Sequence, residues 1–373
     1  MNPSYDAVVI GAGPAGGVAA WSLASKGWSV LLVDKASFPR DKVCGCCLSH
    51  QATQSLKSAG LNRLVERLPK NELKEFHFRM PGNYFSLPLP GGISLSRRCL
   101  DAALVEEAQK AGSAFQQETQ GKLGEVCGNF REVLLTRKGR VNLILARIVL
   151  ICDGLGGSAL YGCEKARIAK DSRLGLNAVI EDDDDFYQDG TIYMAGSQKG
   201  YTGVVRLEDK RLNVAAAIDF PAEKGPVHFG SEISGMLEGA GFPVPRQLKK
   251  AHWRGTPPLT RTLKKVAGER YFVLGDSAAY SEPFTGEGMT WAIDSAVALG
   301  RLLTRPREDW NIRQAGAWQS WHGKNIKKRQ IFSRVLTRGL KYSALLGPAA
   351  TLIRWKPELA ESFVQAVCGA RNE

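Results

Sequence analysis

Two stretches hold residues whose types and spacing can do chemistry. Near the start of the chain, Gly11, Gly13 and Gly16 form G-x-G-x-x-G, with Pro14 and Ala15 inside the motif. Gly11 permits a tight turn, Gly13 lets the backbone approach a pyrophosphate, and Gly16 allows a helix to pack closely on a strand. A helix beginning here aims its free N–H groups and positive dipole end at phosphates. Asp34 follows 18 residues after Gly16, at the end of the next apolar run, where an acid can meet a ribose hydroxyl. The pattern predicts a dinucleotide site but does not separate NAD from FAD. The second stretch is KVCGCCLS, Lys42 to Ser49, with Cys44, Cys46 and Cys47 inside four positions. Zinc needs four ligands, usually as two well-spaced pairs. These cysteines are too close together, and no histidine cluster joins them. Cys44 and Cys47 form a C-x-x-C, a spacing that can carry a redox disulfide. A redox pair, a cofactor-side cysteine and a structural loop all remain open at this point.

The elements that position these residues follow from hydrophobic periodicity. YDAVVIGAGPAGGVAAWSLASKGWSVLLVD reads as strand, glycine turn, helix ending at Gly27, and second strand. A loop then runs from Lys35 to about Leu48, followed by the helix SHQATQSLKSAG. Short strands lie around Pro81, Pro88 and Pro90, and SRRCLDAALVEEAQKAG is an amphipathic helix. EVLLTRK and NLILARIVLICDG are strands, the second apolar enough to be central. Alternating strands dominate from about Ser172 to Phe220, and EDDDDF, Glu181 to Phe186, is a charged turn. RYFVLGDSA is strand into loop, GEGMTWAIDSAVALGRLL is helix, and the remainder is mostly helical.

RYFVLGDSAAYSEPFTGEGMTWAIDSA resembles the Gly-Asp segment of FAD-dependent hydroxylases and of geranylgeranyl reductase-like flavoproteins. The resemblance selects FAD. It implies that Asp276, after Gly275, holds the ribityl side of FAD. It also implies that Pro283, Gly286, Glu287, Gly288 and Met289 open a helix facing the flavin ring. A helix N-terminus at the N1–O2 edge would stabilise the negative charge of reduced flavin. IVLICDGLGGS, with Asp153 and Gly154, resembles the Asp-Gly segment of the same superfamily. SRRCLDAAL resembles its Arg-x-x-x-Asp helix start, which implies Arg97 near the phosphates. KVCGCCLS falls where geranylgeranyl reductase-like proteins carry Lys-x-Cys-Gly-x-x-Leu. That implies Cys44 near flavin and substrate, with Gly45 letting the backbone come close to the isoalloxazine. Lys35 and Arg40, in the loop before it, belong to the same implied site. KPELAESFVQAVCG, Lys356 to Gly369, resembles the family's closing helix. One segment departs. The reductases carry Pro-x-Tyr-x-Trp-x-Phe-Pro on their substrate sheet, and KGYTGVVR keeps only Tyr201. Gly203 stands for the Trp, Val205 for the Phe and Arg206 for the last Pro. A pocket without two aromatics is reshaped, away from a prenyl chain and toward an aromatic or polyketide-like compound.

The expected fold is α/β: a Rossmann-type FAD-binding domain (1–75, 96–171 and 268–305), an inserted antiparallel-sheet substrate domain (76–95 and 172–267), and a helical C-terminal region (306–373). The expected activity is an FAD-dependent oxidoreductase, with NADPH or NADH as electron donor and a small apolar substrate. It acts as a reductase if hydride reaches an activated double bond, or as a monooxygenase if the reduced flavin meets oxygen. A non-enzymatic flavoprotein redox carrier is the competing class. A halogenase lacks support, because Gly-x-Trp-x-Trp-x-Ile-Pro is absent. The catalytic candidates are Cys44 and Tyr201, with His252, Trp253 and Arg254 as further substrate-side residues. Cys99, Cys127, Cys152, Cys163 and Cys368 read as small packing residues. Eight cysteines in 373 residues are too sparse for a disulfide scaffold. With no signal peptide before the first strand, the expected compartment is reducing and cytoplasmic. From Arg301 onward, 14 Lys and Arg stand against 5 Asp and Glu. A basic tail of this kind can lie on an anionic membrane surface or form a solvated helix face. No nucleic-acid motif accompanies the charge, and YSALLGPAATLI is too short to span a bilayer.

Overall fold

The structure, a computed structural model, describes residues 4–160, 162–181, 185–219, 228–282, 284, 286–304 and 310–339. Pro283, Cys368, residues 182–184 of EDDDDF, YSALLGPAATLI and KPELAESFVQAVCG lie outside the described residues. The chain opens with β1 (Ser4–Ile10), α1 (Pro14–Ala24) and β2 (Val30–Val33). Proline in the first turn of α1 costs nothing, because its missing N–H would have had no helical partner. Helix α1 is buried on nearly every side, which explains its Ala- and Gly-rich composition. Next come β3 (Cys47–Ser49), α2 (His50–Ser58), β4 (Glu75–Met80), β5 (Asn83–Pro88), β6 (Gly92–Ser94) and α3 (Arg97–Lys110). Ser49 and Ser96 cap α2 and α3, each side chain accepting a backbone N–H of the first turn.

After β7 (Ala114–Gln116), a hairpin over Thr119–Cys127 and Phe130–Arg137 leads into β8 (Arg140–Ile151). The second sheet supplies β9 (Leu174–Ile180), β10 (Thr191–Ser197), β11 (Gly200–Arg206) and β12 (Leu212–Ile218), followed by α4 (Phe229–Gly239). The chain returns through β13 (Tyr271–Val273), α5 (Gly288–Leu302), α6 (Ile312–His322) and α7 (Lys328–Gly339).

In the first sheet, β13, β8, β1, β2 and β7 run parallel in that order. Helix α1 is gripped between α3 and α5. Parallel order sends the strands out at one edge, where the loops after β1, β2, β8 and β13 gather; in open parallel sheets this edge takes the ligand. The second sheet has β9, β12, β11, β10, β4 and β5 as neighbours. One pairing departs from the expected antiparallel pattern. Strand β4 lies parallel to β10, because it arrives from far upstream by a crossover and not through a hairpin. Strand β6, expected beside the substrate sheet, pairs with β3 and so holds the end of the cysteine loop. One face of the second sheet packs on α4 through Leu176, Tyr193, Val204, Ile233 and Leu237. The other face carries Phe78, Met194 and Tyr201, turned toward the first domain. No helix of the described residues is long and apolar enough to cross a membrane.

Candidate functional site

The glycine loop is built by steric necessity. A Cβ on Gly11, at φ +104°, would sit 2.3 Å from the Cys152 carbonyl oxygen, and one on Gly16 would sit 1.7 Å from the Gly11 oxygen. Gly13 is different: its Cβ would meet only the Arg97 and Arg40 guanidinium groups, at 3.3 and 3.8 Å. Two cations thus lie over the N-terminus of α1, which no side chain caps. That combination suits an anion. The charges are held in place by Asp101, fully buried, which takes a bidentate pair from Arg97 (2.9 and 2.8 Å) and an ion pair from Arg40 (3.0 Å). Asp34 accepts the N–H of Ala12 at 2.8 Å and of Ala36 at 2.9 Å. It therefore closes the glycine loop as its first task, and its carboxylate keeps lone pairs for a hydroxyl.

Two turns meet at the neighbouring strand ends. Ser277 Oγ donates to Asp153 at 2.9 Å and accepts the Gly154 N–H at 2.7 Å, tying the loop after β8 to the loop after β13. Asp153 also accepts the Ala159 N–H at 2.9 Å. Beside them, burial raises the Asp276 carboxyl above the usual carboxylate range, opposed by the charges of Lys42, Arg97 and Arg261. Lys42 lies against Gly154, where a Cβ would come within 2.7 Å of its Nζ. Burial, then the Arg97 charge, lowers its ammonium pKa.

The cysteine turn sits between this polar end and the second sheet. Asn177 on β9 and Asn213 on β12 both donate to the Cys44 carbonyl, at 3.4 and 3.2 Å. Asn177 also donates to Asn213 at 2.6 Å. Cys46 adopts φ +58°, a region that favours glycine. Its N–H points to Cys44 Sγ at 3.4 Å, and its thiol to Asn213 Oδ1 at 3.5 Å. Hydrogen bonding from Cys46, together with the Arg97 charge, outweighs burial and brings Cys44 down to about 6. Cys46 is raised far above the ordinary thiol range by the same hydrogen bond and by burial. Burial, then the Cys44 charge, pushes Cys47 up to about 12. One thiolate is selected out of three cysteines. Gly45 is exposed, and a Cβ there would meet nothing within 4 Å; the protein's own packing does not demand a glycine. Among the described residues, no group of His, Cys, Asp and Glu is arranged to hold a metal.

A cavity of about 880 Å³ runs from the glycine loop, past the cysteine turn, to the inner face of the second sheet. Its far end is aromatic. Phe284 packs edge-on to Tyr201, Phe78 and Phe76, with ring centres 5.1, 5.7 and 6.2 Å apart. The period of two along β11 puts Tyr201, Gly203 and Val205 on the cavity side. Behind Tyr201, Arg173 binds Glu282 at 2.8 Å and Asp219 at 2.9 Å. Burial, then the Glu282 charge, holds the Tyr201 phenol well above its ordinary range.

Gly11, Gly13, Pro14, Ala15, Asp34, Lys35, Arg40, Cys44, Gly45, Arg97, Asp153, Gly154, Tyr201, Asp276, Gly286, Gly288 and Met289 all line this cavity. Other expected residues do not. Gly16 is a packing glycine, and Gly275 donates its N–H to Ser295 at 3.2 Å. Glu287 turns away and takes Arg329 of α7 at 2.8 Å. His252 is exposed, Trp253 packs on the α4 core, and Arg254 pairs with Asp41 at 3.1 Å. Their chain neighbours Gly255, Thr256 and Pro257 reach the cavity instead. Cys127 and Cys163 are exposed and do not serve as packing residues. Sequence reasoning missed Lys42, Asn177, Asn213, Glu282 and Phe284. The two asparagines do carry a signal: each is a lone amide inside an apolar strand, LGLNAVI and LNVAAAI. Phe284 has none, because only the tertiary fold turns it inward.

The model of the FAD binding domain family matches residues 4–311. A digeranylgeranylglycerophospholipid reductase of Methanocella arvoryzae is 26% identical over 91% of this chain and 88% of its own length. A menaquinone reductase of Mycolicibacterium smegmatis is 26% identical over 82% of this chain and 77% of its own. Among solved structures, the p-nitrophenol 4-monooxygenase PnpA of Pseudomonas putida superposes with a TM-score of 0.82 at 14% identity, covering 100% of both chains.

Proposed function

The chain belongs to the FAD binding domain family and is a flavin-dependent oxidoreductase; on that premise we propose that it takes electrons from NADPH or NADH and delivers them to an apolar substrate held against the second sheet. The observation that carries this reading is one continuous cavity, cationic and glycine-lined at one end and aromatic at the other. When bound, FAD supplies the hydride chemistry. The residues present fit it. Arg40, Arg97 and the first turn of α1 suit a pyrophosphate. Asp34 and Asp276 suit hydroxyls, and the N-terminus of α5 suits an anionic ring edge. Gly45 leaves room for a planar group close to the backbone. At the junction, Cys44 is a thiolate and Tyr201 a phenol kept protonated. The two are suited to hold and release a proton beside the reacting carbon.

Reduction of a double bond in a prenyl or quinone-type lipid is the first reading, supported by similarity to the Methanocella reductase along 91% of this chain. Gly203 and Val205 favour a second one: they line the chamber where the reductase segment carries Trp and Phe, and the loss of two aromatics favours an aromatic or polyketide-like compound, which a monooxygenase would hydroxylate. The test is product mass after turnover with NADPH or NADH. A gain of paired hydrogens without oxygen supports reduction, and incorporation of labelled oxygen supports the second reading. Purified protein that is colourless and does not take up FAD overturns both. The basic region beyond Arg301 supports contact with an anionic membrane surface from the cytoplasmic side. Sedimentation with vesicles that does not depend on anionic lipid removes that part.

A further inference from the structure

The cysteine turn carries more than a proton-handling residue. We propose that Cys44 and Cys46 form a dithiol that exchanges an electron pair with the bound flavin, closing to a Cys44–Cys46 disulfide. This rests on the FAD reading of the cavity and goes beyond it, because it gives the polypeptide its own two-electron store.

Three observations lead there. The first is proximity. Residues two apart have Cα atoms no more than about 7 Å apart, at the edge of the roughly 4.4–6.8 Å window that disulfides occupy. Direction then decides, and Cys46 points back: its N–H addresses the Cys44 sulfur at 3.4 Å, and its thiol lies on Asn213, the residue that also holds the Cys44 carbonyl. The second is backbone conformation. Cys46 occupies the left-handed region at φ +58°, which is unfavourable for a residue with a Cβ. The adjacent Gly45 has no positive φ and no crowded Cβ position. A cysteine stands where glycine would be easier, and a glycine stands where the protein's own contacts demand none. Asn177 and Asn213, both buried, fix that arrangement through the Cys44 carbonyl. The third is chemical asymmetry. Cys44 is held as the nucleophilic thiolate beside Arg97, with Cys46 as the protonated partner. The Cys47 thiol is directed at the Gly45 carbonyl at 3.3 Å and stays protonated, so the C-x-x-C pairing suggested by spacing is replaced by C-x-C.

The step balances. In the oxidising direction the S–H bond of Cys46 breaks and the Cys44–Cys46 S–S bond forms. Two electrons and the Cys46 proton leave the pair, and a second proton comes from solvent. Electrons and protons arrive on FAD, which becomes the reduced form. The reverse direction restores the dithiol.

The test is anaerobic electron counting on the FAD-loaded full chain. The protein is reduced with dithionite, desalted, reoxidised with oxygen, and titrated again with dithionite. The expected uptake is twice that of the flavin alone, and peptide mapping without reductant links Cys44 to Cys46. Cys44→Ser and Cys46→Ser should fall to the flavin value, and Cys47→Ser should keep the excess. Uptake equal to the flavin content in the parent protein overturns the proposal, as does a map showing three free thiols or a Cys44–Cys47 link. The parent measurement decides even if a variant fails to fold. The flavin spectrum separates the two layers: bound FAD without extra uptake removes only the dithiol. A colourless protein removes the cofactor reading and the dithiol with it.

Discussion

At the scale of single residues, Cys44 and the glycines respond to different forces. The Cys44 thiolate depends on a hydrogen bond from Cys46 and on the Arg97 charge. Its alkylation by iodoacetamide should therefore inflect near pH 6, against about 8.5 for an ordinary thiol. Arg97→Gln should move the inflection upward, and an unchanged profile would contradict the assignment. Gly16 and Gly13 should separate folding from binding. Alanine at 16 collides with backbone at 1.7 Å and should give little folded protein. Alanine at 13 meets only flexible guanidinium groups at 3.3 and 3.8 Å. It should fold with a near-parental melting temperature while binding FAD more weakly. Gly203→Trp faces the flexible end of Met194 at 3.3 Å. It should fill the apolar chamber and weaken apolar ligands at least tenfold, about 1.4 kcal/mol, with FAD content unchanged.

At the scale of elements, α7 holds the loop that brings Tyr280, Phe284 and Gly286 to the cavity. Gln330 donates to the Ala279 carbonyl at 3.0 Å, and Ser333 to the Glu282 carbonyl at 3.2 Å. Arg329 bridges Glu287 at 2.8 Å and Asp294 at 3.1 Å. Tyr280, Phe284, Gly286 and Gly288, on or beside this loop, all face the cavity. Breaking a fully buried pair costs about 3–5 kcal/mol. The Arg329 side chain is 29% exposed, so solvent screening reduces this to roughly 1–2 kcal/mol. Arg329→Ala should lower the melting temperature by several degrees and loosen FAD, read as faster flavin release on dilution. An unchanged release rate would show that the loop holds its shape without α7. The Glu287 carboxylate serves this brace and does not line the cavity, unlike its motif neighbours Gly286 and Gly288.

At the scale of the whole molecule, two sheets share the cavity, and the fold that holds them should have an acid limit. His322 closes α6 and is 5% exposed. Burial, then the Lys327 charge, lowers its imidazole from 6.5 to about 4. Between those values the unfolded chain binds the proton and the folded chain does not. His322 therefore contributes stability that is lost as pH falls through this window. Thermal denaturation followed from pH 7 to 4 should show the loss, and His322→Gln should flatten it. An unchanged slope in the variant would assign the acid limit to other groups.

What could be read from the linear chain was whatever depends on local spacing. The glycine loop, the strand–helix–strand unit and the alternation of Tyr201, Gly203 and Val205 are periodic features, and a period fixes a face. Arg97 at the cationic end came from the resemblance of SRRCLDAAL to an Arg-x-x-x-Asp helix start, and the structure pairs it with Asp101 one turn on. Contacts across domains were not visible. The turn of Cys46 toward Cys44, the asparagine clamp from β9 and β12, the inward turn of Phe284 and the outward turn of Glu287 each depend on groups far apart in the chain or on one backbone rotation at Cys46. Spacing offered Cys47 as the partner of Cys44. Tertiary structure favours Cys46, because the left-handed turn aims its N–H at the Cys44 sulfur, while the Cys47 thiol turns to the Gly45 carbonyl.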